Sequence, residues 1–142
     1  MKTTERVIPV LVYQDIQAAH DFLVKAFGFE PGGVVLTPDG QVVHGEVRFG
    51  GSDIWLHRVT AEHKMTSPQT VDLAGSGVCI HVPDVDAHCE RARDAGARIS
   101  YEPTDQPYGQ REYEACDPEG HRWWFATLSA LGDKAGVVPV EK

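Results

Sequence analysis

The stretch "HGEVRFGGSDIWLHR" places His44, Glu46 and Arg48 at alternate positions before Gly50-Gly51, and Trp55 and His57 at alternate positions after it. In extended chain, alternate residues share one face. A histidine beside a carboxylate can move a proton, and imidazoles with carboxylates can hold a divalent ion. The same alternation also fits a half-exposed strand with solvated charges. A second set lies in "YGQREYEACDPEGHRWWFA", where Tyr108, Arg111, Tyr113 and Glu114 precede the adjacent Trp123 and Trp124. Arg111 suits a ligand carboxylate or phosphate, or it bridges to Glu112, Glu114 or another acidic neighbour. An indole has no in-plane lone pair for a metal. Its chemistry is stacking on a flat ligand, worth about 0.5–1.5 kcal/mol beyond burial, or filling of the core. His57 and His81 read either as rim residues or as satisfied structural histidines.

These residues depend on strands and turns to converge. "RVIPVLVYQD" is rich in β-branched residues and reads as a strand. A helix follows, capped by Asp15, with Ala18, Ala19, Phe22, Leu23, Ala26 and Phe27 at helical spacing and Gly28 as its stop. After "EPGG" come three extended runs, "VVLTPDG", "QVVHGEVRFGG" and "DIWLHRV", divided by Asp39-Gly40 and Gly50-Gly51. The polar stretch "TAEHKMTSPQTVDLAGSG" reads as a linker that orders in part. The plan then repeats: strand "VCIHVPD", helix "VDAHCERARDAGA", strand "RISYEP", and the strands "QREYEACD" and "HRWWFATL" around the Asp117–Gly120 turn.

The repeat holds residue by residue. Asp15 and Asp84 lie 69 residues apart, as do Ala18 and Ala87, Gly51 and Gly120, Trp55 and Trp124, and His44 and Tyr113. The chain is therefore an internal duplication, expected to form one domain. Module 1 covers about 5–59, the linker about 60–75, module 2 about 76–128, and a C-terminal tail 129–142. By alternation Trp124 points inward and Trp123 to the opposite face, with Trp55 as the twin of Trp124.

Composition narrows the partners. With 42% hydrophobic and 24% charged residues, 142 residues suffice for one folded core. No run reaches the length of a membrane span, and the N-terminal "MKTTERVIPVLVY" does not read as a signal peptide, so a cytoplasmic location is expected. Cys79, Cys89 and Cys116 form neither a disulfide framework nor a zinc motif and are expected reduced and mostly buried. A net charge of −8 disfavours nucleic acid and anionic membranes as partners.

A duplicated β-α-β-β-β module carrying "VYQDIQAAHDFLVKAFGFE" early and "DPEGHRWWFA" late resembles the glyoxalase/bleomycin-resistance/extradiol-dioxygenase (vicinal oxygen chelate) family over residues 5–128. The resemblance implies an α+β fold of two tandem β-α-β-β-β modules whose curled mixed sheets enclose a cavity, often completed by a second subunit, hence a homodimer. Metalloenzymes of that family take ligands from the first and last strands of each module. Here those positions fall on Ile8, Trp55, Gly77 and Trp124, none of which can bind a metal. No metal or other cofactor is therefore expected. The segment with Tyr108, Arg111 and Tyr113 is similar to the stretch bordering the cavity in ligand-binding members.

Two function classes compete. One is a metal-free binding protein that sequesters a planar or hydrophobic small molecule, as antibiotic-resistance members of the family do, with Trp55, Trp124, His44, Glu46, His57, Tyr108, Arg111 and Tyr113 as ligand contacts. The other is a lyase, isomerase or dioxygenase-like enzyme. It would use displaced metal ligands among His44, Glu46, His57 and Glu114, or metal-free acid–base groups among His44, Glu46 and Tyr113. An accessory module with a vestigial pocket is a third possibility. In the binding reading, Trp55 and Trp124 form facing walls of the cavity.

Overall fold

The computed structural model describes residues 5–128; the C-terminal tail expected over 129–142 lies outside the described residues. Module 1 runs β1 (Val10–Tyr13), α1 (Ile16–Phe27), β2 (Glu30–Leu36), β3 (Val42–Phe49) and β4 (Ser52–Arg58). A short helix, α2 (Pro68–Val71), lies in the linker. Module 2 runs β5 (Gly77–His81), α3 (Val85–Asp94), β6 (Arg98–Asp105), β7 (Gln110–Cys116) and β8 (Arg122–Leu128). Each module forms one four-stranded mixed sheet, ordered β1-β4-β3-β2 and β5-β8-β7-β6, with the first strand parallel to the last. The expected α+β class and duplicated plan are both present.

Local chemistry explains the boundaries. The Asp15 carboxylate accepts from the Ala18 backbone N–H at 3.0 Å, and the Asp84 carboxylate accepts from Ala87 at 3.1 Å, so both long helices start on the same cap. Gly28 ends α1 in the left-handed conformation, at φ 76°. The stretch "EPGG", read as lying ahead of the strand, belongs to β2, which is bulged between Pro31 and Val34. A Cβ on Gly32 would lie 2.6 Å from the Glu46 carbonyl oxygen, so this close strand approach requires glycine.

The helical sides of the two modules share one core. Phe27 of α1 packs on Trp123 and Phe125 of β8 at ring distances of 5.6 and 4.7 Å, and Phe29 packs on Trp123 at 5.5 Å. His88 of α3 donates from Nε2 to the Phe27 carbonyl at 2.8 Å, which leaves Nδ1 to accept from the Tyr113 hydroxyl at 2.6 Å. Burial lowers the His88 pKa and keeps the ring neutral.

The Asp-Pro-x-Gly turn locks the modules together. Asp117 Oδ1 accepts from the backbone N–H groups of Glu119 and His121 at 3.1 and 3.0 Å. Its Oδ2 accepts from the Tyr13 hydroxyl of module 1 at 2.5 Å and from the Trp123 indole at 3.0 Å. Burial and the Asp117 charge together push the Tyr13 pKa well up. Glu119 reaches across as well, accepting from the backbones of Gln14 and Asp15 and from the Ser67 hydroxyl. His121 Nε2 donates to the Val12 carbonyl at 2.7 Å.

Because the helical sides face one another, each sheet turns its other face away from the shared core. The sheets are not closed into a barrel. Trp55 and Trp124 therefore lie on separate sheets and are not facing walls of one cavity within the chain. The 430 Å³ space between β1, β5 and the linker is lined by Val10, Met65, Val71, Leu73 and Val78, among others, and borders neither indole.

Candidate functional site on the open sheet faces

The pleat sorts the side chains of module 1. Ile54 and Leu56 of β4 are buried towards α1, and on β3 Gly45 and Val47 share that side. A Cβ on Gly45 would lie 2.7 Å from Ile16 Cγ2, so the glycine lets α1 dock. The opposite, open face carries His44, Glu46 and Arg48 of β3 beside Asp53, Trp55 and His57 of β4, paired His44 to His57, Glu46 to Trp55 and Arg48 to Asp53. His44 Nε2 bonds Glu46 Oε2 at 2.9 Å, and the His44 ring stands edge-on to Trp55 at 5.3 Å. Asp53 takes ion pairs from Arg6 and Arg48.

His63 was not among the residues singled out in the sequence. The linker turn around the Thr60–Met65 bridge brings its Nδ1 to 2.8 Å from His57 Nε2 and 2.7 Å from the Thr60 hydroxyl. Partial burial, with the nearby His63, Arg58 and His44, lowers the His57 pKa.

Module 2 presents a corresponding face, more completely bonded. Its residues are Cys79 and His81 of β5, Arg122 and Trp124 of β8, Glu112 and Glu114 of β7, and Tyr101 of β6, as the strand register aligns them. The Trp124 indole donates to Glu114 Oε2 at 2.9 Å, and Arg122 pairs with the other Glu114 oxygen at 2.9 Å. Trp124 also lies over Gly77, where a Cβ would come within 2.3 Å of its ring. Glu112, 3% exposed, accepts from the Tyr101 and Tyr108 hydroxyls and from the Gln110 amide. Burial raises the Glu112 pKa, but these three donors outweigh it and leave the pKa lowered. Burial, with the Glu112 bond, pushes Tyr108 up to about 12. His81 Nε2 meets Gln110 Oε1 at 3.0 Å.

Two sequence-predicted contacts fall on the other side of the sheet. Tyr113 pairs with Phe125 rather than with the partner its 69-residue spacing from His44 implies, and its side chain is fully buried in the core against His88. The cause is hairpin length. The β3–β4 pair Arg48–Asp53 encloses 49–52, whereas the β7–β8 pair Cys116–Arg122 encloses 117–121, one residue more. The spacing of 69 therefore holds on the last strands and slips to 68 on the strands before them. His44 corresponds to Glu112 and Glu46 to Glu114, and a one-residue slip reverses the face. Arg111 follows Tyr113: it bonds Asp86 at the start of α3 through Nε and Nη2, at 3.1 and 3.0 Å, and reaches Asp105. The cysteines divide, with Cys89 and Cys116 buried and Cys79 exposed on the open face.

Family metal sites do not fit these residues. In module 2 the Trp124 ring fills the space that a ligating side chain at position 77 would need, and among the described residues no group of three His, Cys, Asp or Glu could hold a metal ion.

The fold is a pair of β-α-β-β-β modules, each with one open sheet face. The description of the Glyoxalase/Bleomycin resistance protein/Dioxygenase superfamily matches residues 7–125, and the chain belongs to that family. It is 38% identical over 120 residues to an uncharacterized protein of Mycobacterium bovis, covering 81% of this chain and 78% of that one. Among solved structures it is similar to TioX from Micromonospora sp. ML1, with 33% identity, a TM-score of 0.67, and coverage of 88% of this chain and 99% of that one. A family member from Sphaerobacter thermophilus has the same fold, with 19% identity, a TM-score of 0.70, and coverage of 88% and 98%. No helix among the described residues is long and apolar enough to cross a membrane.

Proposed function

We propose that this chain is a metal-free small-molecule binding protein that holds a planar or hydrophobic compound against Trp55 and Trp124, in the sequestering manner of antibiotic-resistance proteins. The observation that carries the reading is the replacement at the family's metal positions: Trp124 lies over Gly77, and Trp55 stands on the equivalent strand of module 1. Partly exposed indoles on open faces offer stacking surfaces. His44, Glu46, His57 and Tyr108 border them and orient the ligand.

The compound sits between the module 1 face of one subunit and the module 2 face of a second, so the working form is a homodimer. Exposed Val35 and Leu36 on β2, and Tyr108 and Leu128 in module 2, supply apolar rim surface for that contact.

Titration of tryptophan fluorescence with 2-acetonaphthone in the presence of a chelator tests the reading. Saturable binding, weakened by about 1–3 kcal/mol in Trp124→Ala with folding retained, supports it. A loss of stability of about 3–5 kcal/mol with unchanged affinity marks the indole as packing and overturns it.

The His44–Glu46 bond at 2.9 Å favours one second reading, a metal-free acid–base enzyme in which Glu46 orients the imidazole. In that case Glu46→Gln abolishes turnover while leaving ligand affinity within a factor of a few.

A further inference from the structure

The two modules treat the same indole differently. In module 2 the Trp124 N–H donates to Glu114, its neighbour across the β7–β8 ladder. In module 1 the matching neighbour of Trp55 is Glu46, but the Glu46 carboxylate turns to His44 instead. Trp55 Nε1 is buried and has no acceptor among the described residues, although its ring is partly exposed on the open face. A donor shielded from water and left unpaired costs about 1–3 kcal/mol. Buried polar groups in folded chains are nearly always paired, so an orphan of this kind calls for a partner or a function. Of the neighbouring charged groups, Glu46 is bonded to His44, and the single Asp53 carboxylate takes ion pairs from both Arg6 and Arg48.

We infer that Trp55 Nε1 is a ligand-reading donor, and that the compound bound at the open face of module 1 is a planar aromatic carrying a neutral carbonyl oxygen. That oxygen takes in module 1 the place the Glu114 carboxylate holds in module 2. The acceptor is neutral because the residue directly across the strand pair from Trp55 is a carboxylate, Glu46, and not a cation that would favour an anion there. In module 2 the matching indole donor is already taken by Glu114, so that face contributes a stacking surface. This inference rests on the proposed binding function and adds the chemical class of the ligand.

The test compares two probes of nearly equal shape, 2-acetonaphthone with a carbonyl and 2-ethylnaphthalene without one, on the full chain and on Trp55→Phe. Phe keeps an aromatic ring and removes only the N–H donor. The expected result is about tenfold tighter binding of the ketone by the native chain, a difference lost in Trp55→Phe. The Trp55 indole proton resonance should move downfield with the ketone and not with the hydrocarbon. Equal affinity for the two probes overturns the inference and leaves the binding function standing. Binding of neither probe at millimolar concentration overturns both. In the ligand-free chain, a Trp55 indole proton resonance as far downfield as that of Trp124, which is bonded to Glu114, marks a resting acceptor and also overturns the inference.

Discussion

Replacing Asp117 by Asn tests whether the "DPEGH" turn joins the modules. Asp117 Oδ1 serves the backbone of its own turn, and Oδ2 receives the Tyr13 hydroxyl and the Trp123 indole, with the side chain 3% exposed. An asparagine keeps one acceptor oxygen. If that oxygen stays with the turn, its NH2 group faces two donors, and two hydrogen bonds to a buried charge are lost. At about 1.5–3 kcal/mol for each such bond, the substitution costs at least about 3 kcal/mol. That is a large share of the roughly 5–15 kcal/mol holding an ordinary domain. Tyr13→Phe removes one of the same bonds and should cost about 1.5 kcal/mol. The two changes should be non-additive by about 1 kcal/mol or more, because they share a bond. Urea unfolding of all four proteins, with unchanged denaturant dependence, measures this. An Asp117→Asn variant within about 1 kcal/mol of the native chain would refute the argument that this carboxylate joins the two halves.

Other consequences follow from the same geometry. His88 is neutral and depressed below its ordinary value of 6.5 in the folded chain, so the unfolded chain binds its proton first as pH falls. Stability should be fully present above about pH 6.5 and decline below it, with His57 acting in the same direction, and urea midpoints between pH 5 and 7.5 should show a shallower decline in His88→Gln. Gly77→Ala drives a methyl into the Trp124 ring and should cost about 1–3 kcal/mol while altering the near-ultraviolet dichroism of the tryptophans; an unchanged spectrum would contradict the packing described. Light scattering at micromolar concentration should give a dimer, and a monomer would contradict the shared ligand site.

The duplication is readable in the sequence because it is written in residues that act locally. The capping aspartates 15 and 84 and the glycines after the helices fix element ends without help from tertiary contacts. Alternation on β8 puts Trp123 and Trp124 on opposite faces, but the expected assignment is reversed: Trp123 packs inward on Phe27, because the helices cover that face of the sheet, and Trp124 lies on the open face. What the sequence hides is set by hairpin length and by loop paths. One extra residue in the β7–β8 turn shifts the internal match and moves Tyr113 and Arg111 to the helical side. The pairing of His57 with His63 depends on the linker turn folding back, and local spacing does not announce it. The contrast between a bonded Trp124 and an unbonded Trp55 turns on which way one glutamate rotamer points, which only coordinates reveal.

The central claim is that the chain binds a flat ligand on the open faces without a metal. The most direct measurement is a 15N-resolved titration of the three tryptophan indole N–H signals with 2-acetonaphthone in the presence of EDTA. The account predicts that the Trp55 and Trp124 signals move together and saturate, while Trp123, held in the core by Asp117, stays fixed. No shift in EDTA, with shifts appearing only after a divalent metal is supplied, would contradict it.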